Sequence, residues 1–222
     1  TVWTWGINGN GQLGLGDTAN RNKPQQLVIK TVDDSNVEHI EEITDAIDVA
    51  AGHYYTLVLR ADGTVWAAGQ NNYGQIGNGN TTDQKELTQV KGPDGVGYLQ
   101  NVIAITAGNL TSYALTKDGS VYSWGLNNYG QFGNNTTSSS ANYYPVKMQK
   151  VSNIIQIEAG EQYLTMLDAD GSVWNTGYNG NGQFARWNTT NTSLPVKALD
   201  INNVIEVSSK GNTTTVLKAD GT

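Results

Sequence analysis

Two stretches of this chain, "DGTVWAAGQNNYGQIG" from Asp62 and "DGSVYSWGLNNYGQFG" from Asp118, are nearly the same sixteen residues written 56 positions apart. A chain that repeats itself at such a period is built from units that cannot bury their own apolar faces and need neighbouring copies. The motif recurs as "DGSVWNTG" from Asp170, and partial copies stand at "TVWTWG" (residues 1–6) and "DGT" (residues 220–222). Successive Asp-Gly pairs are 56, 52 and 50 residues apart. Asp-Gly supplies the backbone angles of a tight hairpin, and the β-formers after it predict a strand.

Ahead of each Asp-Gly lies a block of constant length. "IDVAAGHYYTLVLRADG" from Ile47, "IAITAGNLTSYALTKDG" from Ile103, "IQIEAGEQYLTMLDADG" from Ile155 and "IEVSSKGNTTTVLKADG" from Ile205 are each 17 residues long. Apolar residues alternate at the first and third positions, the period of a strand with one buried face. Leu59, Leu115, Leu167 and Leu217 close a second strand before the turn. After the third strand come glycine-rich loops, "NGNGQLG" at Asn8, "NNYGQIG" at Asn71, "NNYGQFG" at Asn127 and "NGNGQFA" at Asn179, then a variable polar stretch and a fourth strand such as "PVKM" at Pro145 or "PVKA" at Pro195. Four antiparallel strands in about 50 residues make one propeller blade. Solenoid coils, the competing architecture, are shorter and seldom turn through hairpins. The expected fold is all-β: four blades of a propeller over residues 1–222, in repeat units of approximately 1–61, 62–117, 118–169 and 170–222.

The joint pattern of the tryptophan strand, the N-x-x-G-Q loop and "AAGHYYTLVLRADG" resembles the repeat of the regulator of chromosome condensation family. The resemblance covers essentially the whole chain. It implies a β-propeller, in that family usually of seven blades, so four repeats are expected to form part of a larger ring. A four-bladed ring closed by pairing residues 1–6 with 212–222 is the alternative. Departures from the repeat predict an altered inner turn in the fourth copy. Ala185 replaces the last loop glycine, and Lys210 stands where the other copies have Gly52, Gly108 and Gly160. The first repeat carries an extra acidic segment, "KTVDDSNVEHIEEITDAI".

Composition narrows the function. The net charge is −7 with no run of Lys or Arg, which argues against nucleic acid and anionic membranes as partners. No cysteine is present, so disulfides and thiolate sites are excluded. No apolar run reaches the roughly 20 residues that cross a bilayer. Charged residues make up 15%, and the surface reads as Asn, Thr, Ser and Gln, a balance commoner outside cells than inside them. A trimmed or mature segment of an extracellular or cell-surface bacterial protein is the expectation.

No constellation of catalytic type emerges. "DADGS" at Asp168 lacks the ligand spacing of a calcium loop and reads as a hairpin turn. The glycine loops lack the helix and lysine of a phosphate cradle. His39 and His53 have no partners at ligand spacing. The pairs Asp33–Asp34 and Glu41–Glu42 read as a solvated face, with an acidic docking patch as the minority reading. No cofactor and no metal are expected. Trp3, Trp66 and Trp174, with Tyr122, share one repeat position and read as packing between blades.

A repeat scaffold varies on its binding face. The variable loops "GDTANRNKP", "GNGNTTDQKE", "GNNTTSSSANYYP" and "ARWNTTNTSLP" therefore hold the candidate binding residues Arg21, Tyr143, Tyr144, Trp187 and Asn188. Aromatics beside short polar residues suit a protein partner, and less so a glycan. Several "NTT" triplets also fit the N-glycosylation pattern. A non-enzymatic binding or scaffold module is the expected function. Family resemblance adds two narrower readings, small-GTPase regulation and β-lactamase inhibition. An enzyme working across one face, and self-assembly of chains into one ring, complete the alternatives.

Overall fold

The computed structural model describes residues 1–33 and 35–222; Asp34 of the predicted acidic pair lies outside them. Among the described residues the chain is built from strands, with a single 3-10 turn at Pro93–Gly95. The first hairpin is β1 (Trp3–Gly6) with β2 (Arg21–Gln26), and the acidic segment forms a second, β3 (Val28–Val32) with β4 (Glu38–Glu42). Three four-stranded antiparallel sheets follow. They are β5 (Ala46–Ala51), β6 (Tyr55–Arg60), β7 (Val65–Gly69) and β8 (Gln84–Gln89); β9 (Val102–Ala107), β10 (Thr111–Thr116), β11 (Val121–Asn127) and β12 (Ser138–Lys147); and β13 (Ile154–Ala159), β14 (Tyr163–Asp168), β15 (Val173–Gly177) and β16 (Thr192–Lys197). A last hairpin pairs β17 (Val204–Lys210) with β18 (Thr213–Lys218).

The sequence repeat and the sheet are out of phase. Each Asp-Gly repeat supplies the two outer strands of one sheet and the two inner strands of the next. The partial repeats accordingly form half-blades, β1–β2 carrying the outer pair and β17–β18 the inner pair. This staggering makes every repeat a bridge between two sheets. The core reflects it: one apolar cluster joins Leu57, Leu59 and Ile76 to Ile105, Ala114 and Trp124, and the next joins Tyr113 and Val121 to Ile157, Leu164 and Met166. Trp66, Tyr122 and Trp174 pack at the margins of three successive clusters, consistent with packing between blades. Trp3, at the same repeat position in the first half-blade, is 51% exposed.

The inner strands β5, β9, β13 and β17 are stitched side by side through side chains rather than by ladder bonds. The Ile105 N–H donates to Asp48 Oδ2 (3.1 Å) and the Ala159 N–H to Thr106 Oγ1 (3.2 Å). Gln156 is bidentate on Val207, donating to its carbonyl (2.9 Å) and accepting from its N–H (3.0 Å). Backbone groups on an unpaired inner edge are thereby satisfied from the preceding blade.

Candidate functional site

Two sets of connections come together on one face. The tight turns between inner strands, at residues 52–54, 108–110, 160–162 and 211–212, share that face with the long loops between the third and fourth strands. The Asp-Gly turns emerge on the other face. The loops that differ from copy to copy lie on the first face and the acidic insertion of the first repeat on the other, and the candidate residues of the sequence fall in or beside those loops.

The inner turns form a ladder around the axis. The His53 N–H donates to the Asn109 carbonyl (3.4 Å), the Asn109 N–H to Glu161 (2.9 Å) and the Glu161 N–H to Gly211 (2.9 Å). Inside them lies a hollow of about 420 Å³, floored by small residues and edged by His53, Asn109, Glu161 and Lys210. Tyr55 and Tyr163 brace the ladder from below, each hydroxyl donating 2.8 Å to a carbonyl of the next blade, Thr111 and Thr213 respectively. Burial pushes the Tyr55 phenol well above its usual range, so it remains a donor.

The glycine loops are pinned by two amides. Asn8, Asn71, Asn127 and Asn179 are fully buried at the base of each loop. Their Oδ1 atoms accept the N–H five residues on, from Leu13 (2.9 Å), Ile76 (3.0 Å), Phe132 (2.9 Å) and Phe184 (3.0 Å). Their Nδ2 atoms donate to the carbonyl nine residues on, at Asp17 (3.0 Å), Asn80 (3.0 Å), Thr136 (3.0 Å) and Asn188 (3.1 Å). The loop glutamines Gln12, Gln75, Gln131 and Gln183 accept the N–H two residues earlier at 2.9–3.0 Å. A loop of any sequence that leaves these carbonyls in place can therefore be hung on the same frame. Sequence reasoning recognised the glycines but missed the Asn and Gln; their fixed places in all four copies were the available signal.

The "NTT" triplets at Asn80 and Asn188 belong to this frame too. Thr82, Thr136 and Thr190 N–H groups donate to Asn80 (2.8 Å), Asn134 (3.2 Å) and Asn188 (3.0 Å) Oδ1, and Ala19 does the same to Asp17 (2.9 Å). Each is an Asx turn; the triplet at Asn135 starts one residue after its turn's Asn134, and that at Asn212 lies at an inner turn.

The five candidate residues have different environments. Trp187 is 86% exposed at φ +59°, and its ring N–H reaches only Asp200 Oδ2 (3.1 Å). Asn188 is occupied by its Asx turn and by Asn179. Arg21, at the start of β2, is paired with Asp17 at 2.5 Å. Tyr143 and Tyr144 lie in the long outer strand β12 rather than in a loop, in edge-to-face contact at 5.1 Å. Tyr143 is exposed, while the Tyr144 ring covers Gly79 and Gly95 of the preceding blade. Trp187 lies in the loop before β16 and the tyrosines in β12, so the two aromatic positions sit on neighbouring blades.

Titratable side chains are dispersed. His53 stacks on Tyr54 at 4.0 Å, whereas His39 bonds Asp33 (2.8 Å) in the acidic hairpin. Asp168 in "DADGS" is consumed by its own turn, accepting from Asp170 and Ser172 N–H and from the Trp174 ring N–H (2.9 Å). Among the described residues no three His, Asp or Glu side chains gather where they could hold a metal ion.

Comparison with known proteins places this geometry. A family model described as the regulator of chromosome condensation (RCC1) repeat matches residues 1–59, 62–115 and 118–167. Human "Probable E3 ubiquitin-protein ligase HERC4" is 32% identical over 195 residues, covering 87% of this chain but 17% of that protein. The chain thus spans about a sixth of the length of that curated relative. Human WBSCR16 superposes with a TM-score of 0.78 at 24% identity, over 99% of this chain and 58% of that one. Prp20p from Saccharomyces cerevisiae, whose structure was described together with its binding to Gsp1p and histones, superposes with a TM-score of 0.71 at 18% identity, over 96% and 50%. Both likenesses bear on the fold.

Proposed function

The chain belongs to the regulator of chromosome condensation (RCC1) repeat family, and from that premise we propose that it binds a protein partner, without catalysis, through the face carrying the inner turns and the Asn/Gln-pinned loops. One observation carries the reading. Trp187, a large apolar side chain, is held in the left-handed region and almost wholly in water. A non-glycine residue in that conformation costs about 1–2 kcal/mol, and an exposed indole returns nothing to folding. Tryptophan and tyrosine at the centre of polar surfaces are the residues that dominate protein–protein contacts. Tyr143 adds a second exposed aromatic from the neighbouring blade, and Prp20p supplies a fold neighbour described as binding proteins. GTPase regulation and enzyme inhibition have no residue here to distinguish them. An extracellular setting rests on the low-charge, Asn- and Thr-rich composition alone; the relatives named above are from human and yeast.

The test is capture of partners by the intact chain and by Trp187→Ser, Tyr143→Ser and their combination, with Lys117→Ser beside an Asp-Gly turn as control. Loss of the same partners from the loop-face variants, with the control and the melting temperature unchanged, is expected. Retention by the double variant, or loss with the control alone, would move the site to the opposite face.

A further inference from the structure

The acidic hairpin β3–β4 stands on the other face, beside the Asp-Gly turns. Its base is fixed: Leu27, Ile29 and Ile43 are buried in the core cluster with Leu87 and Val58. Arg60 ties it down, pairing with Glu41 at 2.6 Å and Asp45 at 2.9 Å. Lys30 adds contacts to Glu38 (3.4 Å) and Glu86 (3.5 Å). Beyond that base every residue of β4 is exposed, and among the described residues β4 pairs only with β3. The register sets Lys30 opposite Ile40, Val32 opposite Glu38 and Val28 opposite Glu42. One face of the ribbon therefore presents Ile40, 63% exposed, between Glu38 and Glu42 on β4, with Lys30 and the equally exposed Val32 beside them on β3. An anchored strand with unpaired N–H and C=O groups and a two-residue side-chain alternation is a template for another strand.

We propose that the free edge of β4 is a docking strand for an extended segment of a partner protein that carries a cationic, an apolar and a cationic side chain at successive second positions, all on one face. The charges select the occupant. An antiparallel pairing of two copies centred on Ile40 would set Glu38 directly opposite Glu42 of the other copy, a destabilising arrangement on a chain of net charge −7. The same geometry places two lysines or arginines of a foreign strand, four residues apart, opposite both carboxylates, with an apolar residue between them opposite Ile40.

The probe is a blocked octapeptide with lysine, valine and lysine at successive second positions and threonine at the positions between, titrated into the intact chain and followed by backbone amide shifts. Saturable shifts confined to residues 28–32 and 38–42 are expected. The double reversal Glu38→Lys with Glu42→Lys should weaken that binding by at least about tenfold while gaining affinity for the same peptide with glutamate in place of lysine. N-methylation of alternate amides in the probe, which leaves its charge intact, should abolish binding, because a strand docks through its backbone. Equal binding of the methylated probe, shifts lying elsewhere, no saturable shifts, or association of the chain with itself through β4 would each overturn the proposal. Loop-face variants leave this titration unaffected, so the two surfaces are tested separately.

Discussion

Gly52 and Lys210 occupy the same repeat position, and what lies beside it decides which is allowed: a ring three residues on at Gly52 and Gly160, the next blade's Gly160 carbonyl at Gly108. A Cβ on Gly52 would lie 2.0 Å from the Tyr55 ring, and on Gly160 1.9 Å from Tyr163. In the fourth repeat the aromatic is Thr213, so Lys210 fits and its backbone stays outside the positive-φ set. The predicted disturbance of that turn is thus absent at Lys210, for a reason visible only once the tyrosine is seen folded under the glycine. Gly52→Ala should cost about 1–3 kcal/mol by overpacking. In a Tyr55→Thr background the same change should cost little, and a denaturant-melt double-mutant cycle reads the coupling. Additive losses would show that Gly52 serves something other than the ring. Ala185 is the converse case: the sequence marked it as a departure, and at φ +51° it carries the strain. Ala185→Gly should leave stability unchanged or raise it by up to about 1 kcal/mol, the relief outweighing the entropy lost.

At the scale of the element, the glycine loops were legible as turns but not as clamps. Asn71 and Asn72 are adjacent and look alike in the sequence, yet only Asn71 is buried and bonded at both ends of its amide. Asn71→Ala leaves buried backbone groups unpaired, each worth about 1–3 kcal/mol, so a loss of at least about 2 kcal/mol is expected. Asn72→Ala should be neutral. Equal effects of the two in a thermal melt would remove the clamp from the account. The tyrosines of "SANYYP" were read as loop residues because serines and asparagines precede them. Alternation of Asn142, Tyr143 and Tyr144 instead continues β12 outward, where the Asn142 N–H reaches the Tyr73 carbonyl (3.1 Å) of the neighbouring blade.

At the scale of the whole molecule, the four-strand unit and its tandem order were legible because strand period and turn chemistry repeat in every copy. The hairpin turns also gave the order of the four strands within a sheet, while the approximate units 1–61, 62–117, 118–169 and 170–222, counted from Asp-Gly, cut across the sheets. The half-blades expose what full blades bury: Trp5 is 61% exposed where its repeat equivalent Trp124 is fully buried. Amide exchange should therefore be faster in β1–β2 and β17–β18 than in β10 and β14; uniform protection would contradict the burial pattern. The inner strands add a pH term. Burial, with the Asp48 and Glu206 carboxylates nearby, holds the Glu158 carboxyl above its usual range. A raised folded pKa means the native state binds the proton more readily, so stability falls as pH rises from the unfolded value of about 4.3 through the folded one. Glu158→Gln should raise the melting temperature at neutral pH and narrow the gain at pH 4; an unchanged or lower melting temperature at neutral pH would refute the cost.

The binding face is tested most directly by hydrogen exchange of the chain alone and with a captured partner. New protection is predicted in residues 15–20, 78–83, 134–144 and 186–191, with the Asp-Gly turns unchanged. Protection confined to the Asp-Gly turns, or spread without regard to face, would contradict the account.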